Sequence, residues 1–152
     1  MFRITLIYDH IDIKCIVTRT GDSSHDSSRG PPRPTIVKVI IAGSRDYTDY
    51  ALVKNAVTAI VNESDLKITE IVSGGARGVD ALGERYAREH NFPCNRFPAD
   101  WNQYGLSAGP RRNQEMARYG DILIAFTSGG PGTTNMIQAM RRTGKPVFIV
   151  NL

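Results

Sequence analysis

Five apolar runs, TIVKVIIAG, ITEIVSG, CNRFPA, DILIAFT and PVFIV, alternate with stretches whose apolar residues recur every three or four positions. Few architectures accept that alternation. Runs such as VIIA and ILIAF leave no polar face, so they predict strands buried on both sides of a parallel sheet, with helices covering each side. The expected helices span about residues 48–63, 78–90, 109–119 and 132–143. The first puts Val53, Ala56, Val57, Ile60 and Val61 on one face, with Thr48 or Asp49 as N-cap. The second turns Val79, Leu82, Tyr86 and Ala87 inward. Gly120 and Gly144 end the last two. The expected fold class is α/β: a Rossmann-like, doubly wound, mainly parallel five-stranded sheet.

This pattern begins near Thr35. Before it, FRITLIY and IDIKCIV read as a β-hairpin over residues 1–19, with Asp9-His10 at the turn. Residues 20–34, TGDSSHDSSRGPPRP, offer almost nothing to bury and read as a linker to a main domain over 35–152. An isolated two-stranded hairpin is marginal, so this one is expected to dock on the main domain or on a second subunit.

Composition narrows the function classes. Apolar residues make up 41% of the chain, enough for a globular core. No apolar run approaches the roughly 18 residues of a membrane span, and the N-terminus lacks a signal-peptide pattern. Neither a membrane partner nor secretion is expected. Cys15 and Cys94 form no ligand spacing, and His10, His25 and His90 are dispersed. Reduced thiols in the cytoplasm are expected, with no metal and no cofactor. The formal net charge of +4 permits an anionic partner without requiring one.

The glycines fall in three groups: AGSRDY after the first main-domain strand, SGGARGVD after the second, TSGGPGTTN after the fourth. In a parallel sheet those loops share the carboxyl edge, where ligands bind. Glycine admits close backbone approach, and the helix N-termini that follow offer unpaired N–H groups. The expectation is an anion site, most simply for phosphate. GxGxxG and GK[ST] are both missing, which argues against an ordinary dinucleotide dehydrogenase or P-loop NTPase. The expected ligand-binding residues are Gly43, Ser44 and Arg45; Ser73, Gly74, Gly75, Ala76, Arg77, Gly78 and Asp80; Asp100, Trp101, Asn102, Gly109, Arg112 and Asn113; and Gly129, Gly130, Gly132, Thr133 and Thr134. Arginine can clamp a phosphate, Trp101 or Tyr104 can pack a base, and Asp or Asn can hold ribose hydroxyls. The blander alternatives are packing for Trp101, a helix-surface pair for Glu84 and Arg88, and a dipole-favoured carboxylate for Asp80.

Five ordered blocks, Ala42–Arg45, Gly74–Ala87, Phe97–Gly105, Ala108–Ala117 and Gly132–Met136, resemble the SLOG superfamily of DprA-type and LOG-type proteins, and most closely its YspA-type, cpYpsA-related branch. The resemblance spans about residues 36–152. It implies a Rossmann-like domain that binds nucleotides or their derivatives at this edge, and it suggests a homo-oligomer. Hydrolases of the superfamily carry PGGxGTxxE and an arginine in an RKxxM-like helix. Arg112 matches that arginine, but Met136 stands at the glutamate position, and a thioether can be neither acid nor base. Asp80, Glu84, Asp100 or Glu115 would have to supply a catalytic carboxylate beside Arg112. The first reading is therefore a sensor or sequestering module for a nucleotide-derived small molecule. The alternatives are a nucleotide N-glycosidase or phosphoribohydrolase, and DprA-like binding of single-stranded DNA, for which the chain shows no aromatic-basic strip.

Overall fold

A computed structural model describes residues 2–8, 11–17 and 35–152. Its centre is β3 (Thr35–Gly43), whose successive residues face opposite sides of one sheet. Val37, Val39 and Ile41 join the core under α1 (Tyr50–Glu63) and α2 (Val79–Glu89). Ile40 and Ala42 join the core under α4 (Ala108–Tyr119) and α5 (Pro131–Arg142). A strand sandwiched in this way has no solvent face to mark with polar residues, which explains the unbroken VIIA run.

The sheet has seven strands in the order β1-β2-β7-β6-β3-β4-β5, where β4 is Leu66–Ser73, β5 Cys94–Arg96, β6 Ile122–Thr127 and β7 Val147–Asn151. The five strands from β7 to β5 are mutually parallel. From β3 the chain winds outward through β4 and β5, then returns to β6 on the other side of β3 and continues to β7. This is the expected doubly wound, Rossmann-like α/β arrangement. The N-terminal strands β1 (Phe2–Tyr8) and β2 (Ile11–Val17) pair antiparallel, and β2 pairs antiparallel with β7 from Ile13↔Val150 to Ile16↔Val147. The hairpin thus docks on the main sheet, and Ile13 is fully buried there. Asp9-His10, residues 20–34 and His25 lie outside the described residues.

The helices form where the periodicity puts them, with informative differences at their ends. Asp49 caps α1, accepting from the Leu52 N–H at 3.3 Å. Asn91, just beyond α2, takes a left-handed φ of 56°. Gly120 ends α4 for another reason than the expected left-handed cap. Its φ is −76°, and a Cβ there would come within 2.5 Å of Ile40 Cγ1. The carbonyls at that helix end are taken by Lys145, whose Nζ donates to Ala117, Arg118 and Gly120 at 3.0, 3.0 and 2.7 Å. A cation at a helix C-terminus satisfies orphan carbonyls and complements the helix dipole. The sequence pattern does not announce α3 (Trp101–Tyr104), a single turn continued by a 3-10 turn at Gly105–Ser107.

The alternative reading of Glu84 and Arg88 as a helix-surface pair does not hold. Glu84 is buried against β4 and β5, accepting from Ser73 Oγ at 2.7 Å and pairing with Arg96. Arg88, four residues on, is exposed.

Lys145→Met should lower stability by about 1–2 kcal/mol, because α4 loses three charge-assisted bonds at its end. Urea denaturation checks this; an unchanged midpoint would mean that water replaces the ammonium without loss.

Candidate functional site

The winding reverses between β3 and β6, which pair in parallel up to Gly43↔Phe126. Their loops leave in opposite directions and open a crevice at the carboxyl edge. Gly43 makes the junction tight: a Cβ there would lie 2.2 Å from the Phe126 carbonyl oxygen and 2.9 Å from Val79 Cγ2. Over the crevice sits a cavity of about 750 Å³. Its walls come from Ala42–Asp46 at and beyond the end of β3, Ala76 and Asp80 before and in α2, Trp101 and Leu106 around α3, the inner face of α4, and the start of α5.

The three glycine-rich loops do different work. At α2, Gly78 has a φ of 75°, and a Cβ there would meet the Ser44 carbonyl oxygen at 2.3 Å. The Val79 N–H donates to that carbonyl at 3.0 Å, and the Ala76 N–H donates to Asp80 Oδ2 at 3.3 Å. The chain itself therefore occupies amides at this helix start. Gly74 and Gly75 make room for arginines. A Cβ at Gly74 would fall 2.7 Å from Arg112 Nη1, and one at Gly75 would fall 2.8 Å from Arg96 Cδ.

At α5 nothing fills the space. Gly130 is the N-cap, with no side-chain hydrogen bond, and Pro131 opens the helix. A Cβ at Gly129, Gly130 or Gly132 would meet no atom of a described residue within 4 Å. Gly129 has a φ of 95°, so its own backbone calls for glycine, and its N–H donates to Thr127 Oγ1 at 3.0 Å. Gly130 and Gly132 have no such reason. They line the cavity together with Pro131 and Thr133, at a helix end whose first N–H groups lack intrahelical acceptors.

Arg112 ties the cavity together. Its Nη1 donates to the Gly74 carbonyl at 2.5 Å and to that of Phe97 at 3.5 Å, while its Nε donates to Asn113 Oδ1 at 3.0 Å. Asn113 Nδ2 donates onward to Asn135 Oδ1 at 2.9 Å, linking α4 to α5. Burial lowers the Arg112 pKa from its usual value; the Asp80 charge opposes this and Arg45 adds to it. Asp80, 6% exposed, sits on the cavity wall. Burial raises its pKa above the ordinary carboxylate range, against the pull of the Ala76 hydrogen bond and of the Arg112 charge. Arg45 is exposed, lines the cavity and makes no hydrogen bond or ion pair with a described residue. Met136, 1% exposed, lines the cavity while packed in the core.

Of the residues expected from the sequence, the large cavity gathers Gly43, Ser44, Arg45, Ala76, Asp80, Trp101, Gly109, Arg112, Asn113, Gly130, Gly132 and Thr133. Gly74, Gly75 and Arg77 line a smaller hollow beside it. Other residues fall outside both. Ser73 is fully buried and binds Glu84 and the Gly75 N–H; Gly78 packs under Ser44; Gly129 is exposed, with a positive φ. Thr134 turns its hydroxyl to the Gly130 carbonyl at 2.9 Å. Asp100 caps α3 through the Gln103 N–H at 3.1 Å. Asn102 and Glu115 are exposed and line neither hollow, and Tyr104 stacks under Arg111 at 4.3 Å. Arg96, Leu106 and Asn135 join the walls without having been expected. For Arg96 there was a signal: it ends β5 at the same carboxyl edge as the glycine loops.

Among the described residues, no group of three or more His, Cys, Asp or Glu could hold a metal ion, and no helix is long and apolar enough to cross a membrane. Cys94 is a free, exposed thiol.

Residues 37–104 match the YspA, cpYpsA-related SLOG family. The Gene 61 protein of Mycobacterium phage D29 is 36% identical over 120 residues, which cover 73% of this chain and 94% of that protein. No solved structure matches the chain.

The raised Asp80 pKa sets a pH dependence. The unfolded chain releases that proton at lower pH than the folded one, so stability falls as pH rises between the two values, and the penalty is complete above the folded value. Asp80→Asn should therefore melt above wild type at pH 8, with the gap closing as the medium is acidified through the carboxylate range. Melting curves from pH 3 to pH 8 test this; a gap independent of pH would mean that the charge of Asp80 is fully compensated.

Proposed function

The chain belongs to the YspA, cpYpsA-related SLOG family, and on that footing we propose that it binds a nucleotide or nucleotide-derived small molecule in the β3–β6 crevice, as a sensor or sequestering module. One observation carries the reading: Gly130 and Gly132 border a cavity of about 750 Å³ with no atom of a described residue near enough to exclude a side chain. Where packing and φ do not require glycine, the approach of something outside the chain does. The phosphate sits against the Gly132 and Thr133 amides at the start of α5, where the helix dipole favours an anion. Arg45 supplies an available cation and Arg112 a fixed one. Trp101, 47% exposed at the mouth, offers an aromatic face to the base. The cavity volume lies in the range of small-ligand sites.

Binding without turnover is favoured by Met136, buried where the superfamily's hydrolases place their glutamate. The alternative is hydrolysis of the base–ribose bond, and Asp80 is the observation in its favour: a buried carboxyl of raised pKa on the cavity wall, suited to general acid–base work.

Calorimetric titration with nucleoside 5′-monophosphates, followed by chromatography of the mixtures, tests both readings. The wild type should bind and return the nucleotide intact. Gly132→Val should lose about 100-fold or more in affinity, because its side chain occupies the phosphate position. Its stability should hold, or rise by about 0.5 kcal/mol, since valine is the better helix former. Full affinity in Gly132→Val would remove the α5 site. Free base released by the wild type and not by Asp80→Asn would establish the hydrolase instead.

A further inference from the structure

Beside the main cavity lies a second hollow of about 480 Å³, and the two share Arg45, Ala76, Trp101 and Arg112. The residues lining the smaller one bring four guanidinium groups, from Arg45, Arg77, Arg96 and Arg112, and no carboxylate. Like charges gathered around one hollow repel, most strongly where the surroundings exclude water. Burial is the main cause of the lowered Arg112 pKa; the Asp80 charge opposes it and Arg45 adds a smaller push in the same direction as burial.

The backbone accommodates the arrangement. Gly74 and Gly75 leave the space that Arg112 and Arg96 cross, and Gly75 takes a φ of 74°. Each guanidinium offers five N–H donors. Arg77 uses one of them on Asp46, at 3.4 Å. Arg96 uses one on Glu84, and Arg45 uses none on a described residue. Glu84 and Asp46 offset two of the charges, and Asp80 interacts with Arg112. Among the described residues Arg45 has no counter-charge.

We propose that this hollow is a second anion subsite, and that the ligand is a nucleotide derivative bearing two separated phosphate groups. One phosphate sits at the start of α5 and the other among Arg45, Arg77 and Arg96, with Trp101 at the junction of the two hollows. The inference rests on the reading that the main cavity takes a nucleotide. A lone phosphate at the α5 end would leave Arg77 and Arg96 unused; a nucleotide with a second phosphate reaches both hollows, with Arg45 and Arg112 between them.

The test compares nucleoside 5′-monophosphates with the matching 3′,5′-bisphosphates by calorimetric titration of the full chain. The second phosphate should tighten binding by about ten-fold or more, the scale of a new charge-assisted contact. Arg77→Ala should erase that gain while leaving the monophosphate within about two-fold of wild type, a small change for an exposed side chain away from the α5 end. Equal affinity for the two ligands overturns the second subsite and leaves nucleotide binding standing. So does an Arg77→Ala loss that falls as heavily on the monophosphate. Binding of neither ligand overturns both readings. Affinity that climbs with the length of a single-stranded oligonucleotide, instead of levelling off at the second phosphate, overturns the small-molecule ligand in favour of a nucleic acid strand.

Discussion

The parallel pairing of β3 with β6 is the constraint from which the rest follows. It brings together two strands whose outgoing chains wind to opposite sides, so neither loop can close over the other's end. Gly43 draws β3 within contact of the Phe126 carbonyl and of Val79, and any side chain there would force the strand ends apart. α5 then begins at one rim of the opening, and α2 is held at the other by its bond to Ser44. The cavity results from strand order. Its chemistry comes from which residues the rims carry.

Arg112 shows how that chemistry is held in place. Carbonyls from the β4 and β5 sides and the Asn113 amide fix its guanidinium, so the cation is positioned before any ligand arrives. A group ordered in advance loses little freedom on binding. Arg45 is the opposite case, exposed and without a described partner, so under the proposed reading the ligand itself would order it. Fixed and adjustable cations side by side allow an anion to be positioned by one and enclosed by the other. Asp80 makes the same region costly to the fold, because burial, with a smaller push from Glu84, outweighs the help of the Ala76 N–H and of the Arg112 charge. Unfavourable burial of this kind persists at sites where function, not stability, sets the residue.

Much of the fold was legible in the sequence because burial on both faces leaves its own pattern. β1, β2 and β3 fall where their apolar runs do, and the helix faces follow the 3.6 period. Glu84 was not legible. A helical wheel pairs it with Arg88 on the surface, but its actual partners, Ser73 and Arg96, come from strands whose register the wheel does not contain. The glycines were half legible. Their position at the carboxyl edge could be read, whereas the reason for each depends on what its absent Cβ would have touched. Gly43, Gly78 and Gly120 answer to backbone or core, Gly74 and Gly75 to arginines, Gly130 and Gly132 to empty space. Asp100 illustrates the same limit: its carboxylate serves a single helical turn that no periodicity announces.

The seam between β2 and β7 bears on the order of folding. β1 and β2 are neighbours along the chain, and a hairpin of that kind closes within microseconds. Its docking joins Ile13 to Val150, and the parallel sheet must already carry β7 for that edge to exist. The hairpin is thus local in its making and remote in its attachment, so it is the natural last step of assembly, coming after the slow non-local pairing of the parallel core. Until then the β7 edge stays open to strands from other molecules, and docking of the hairpin is the event that closes it.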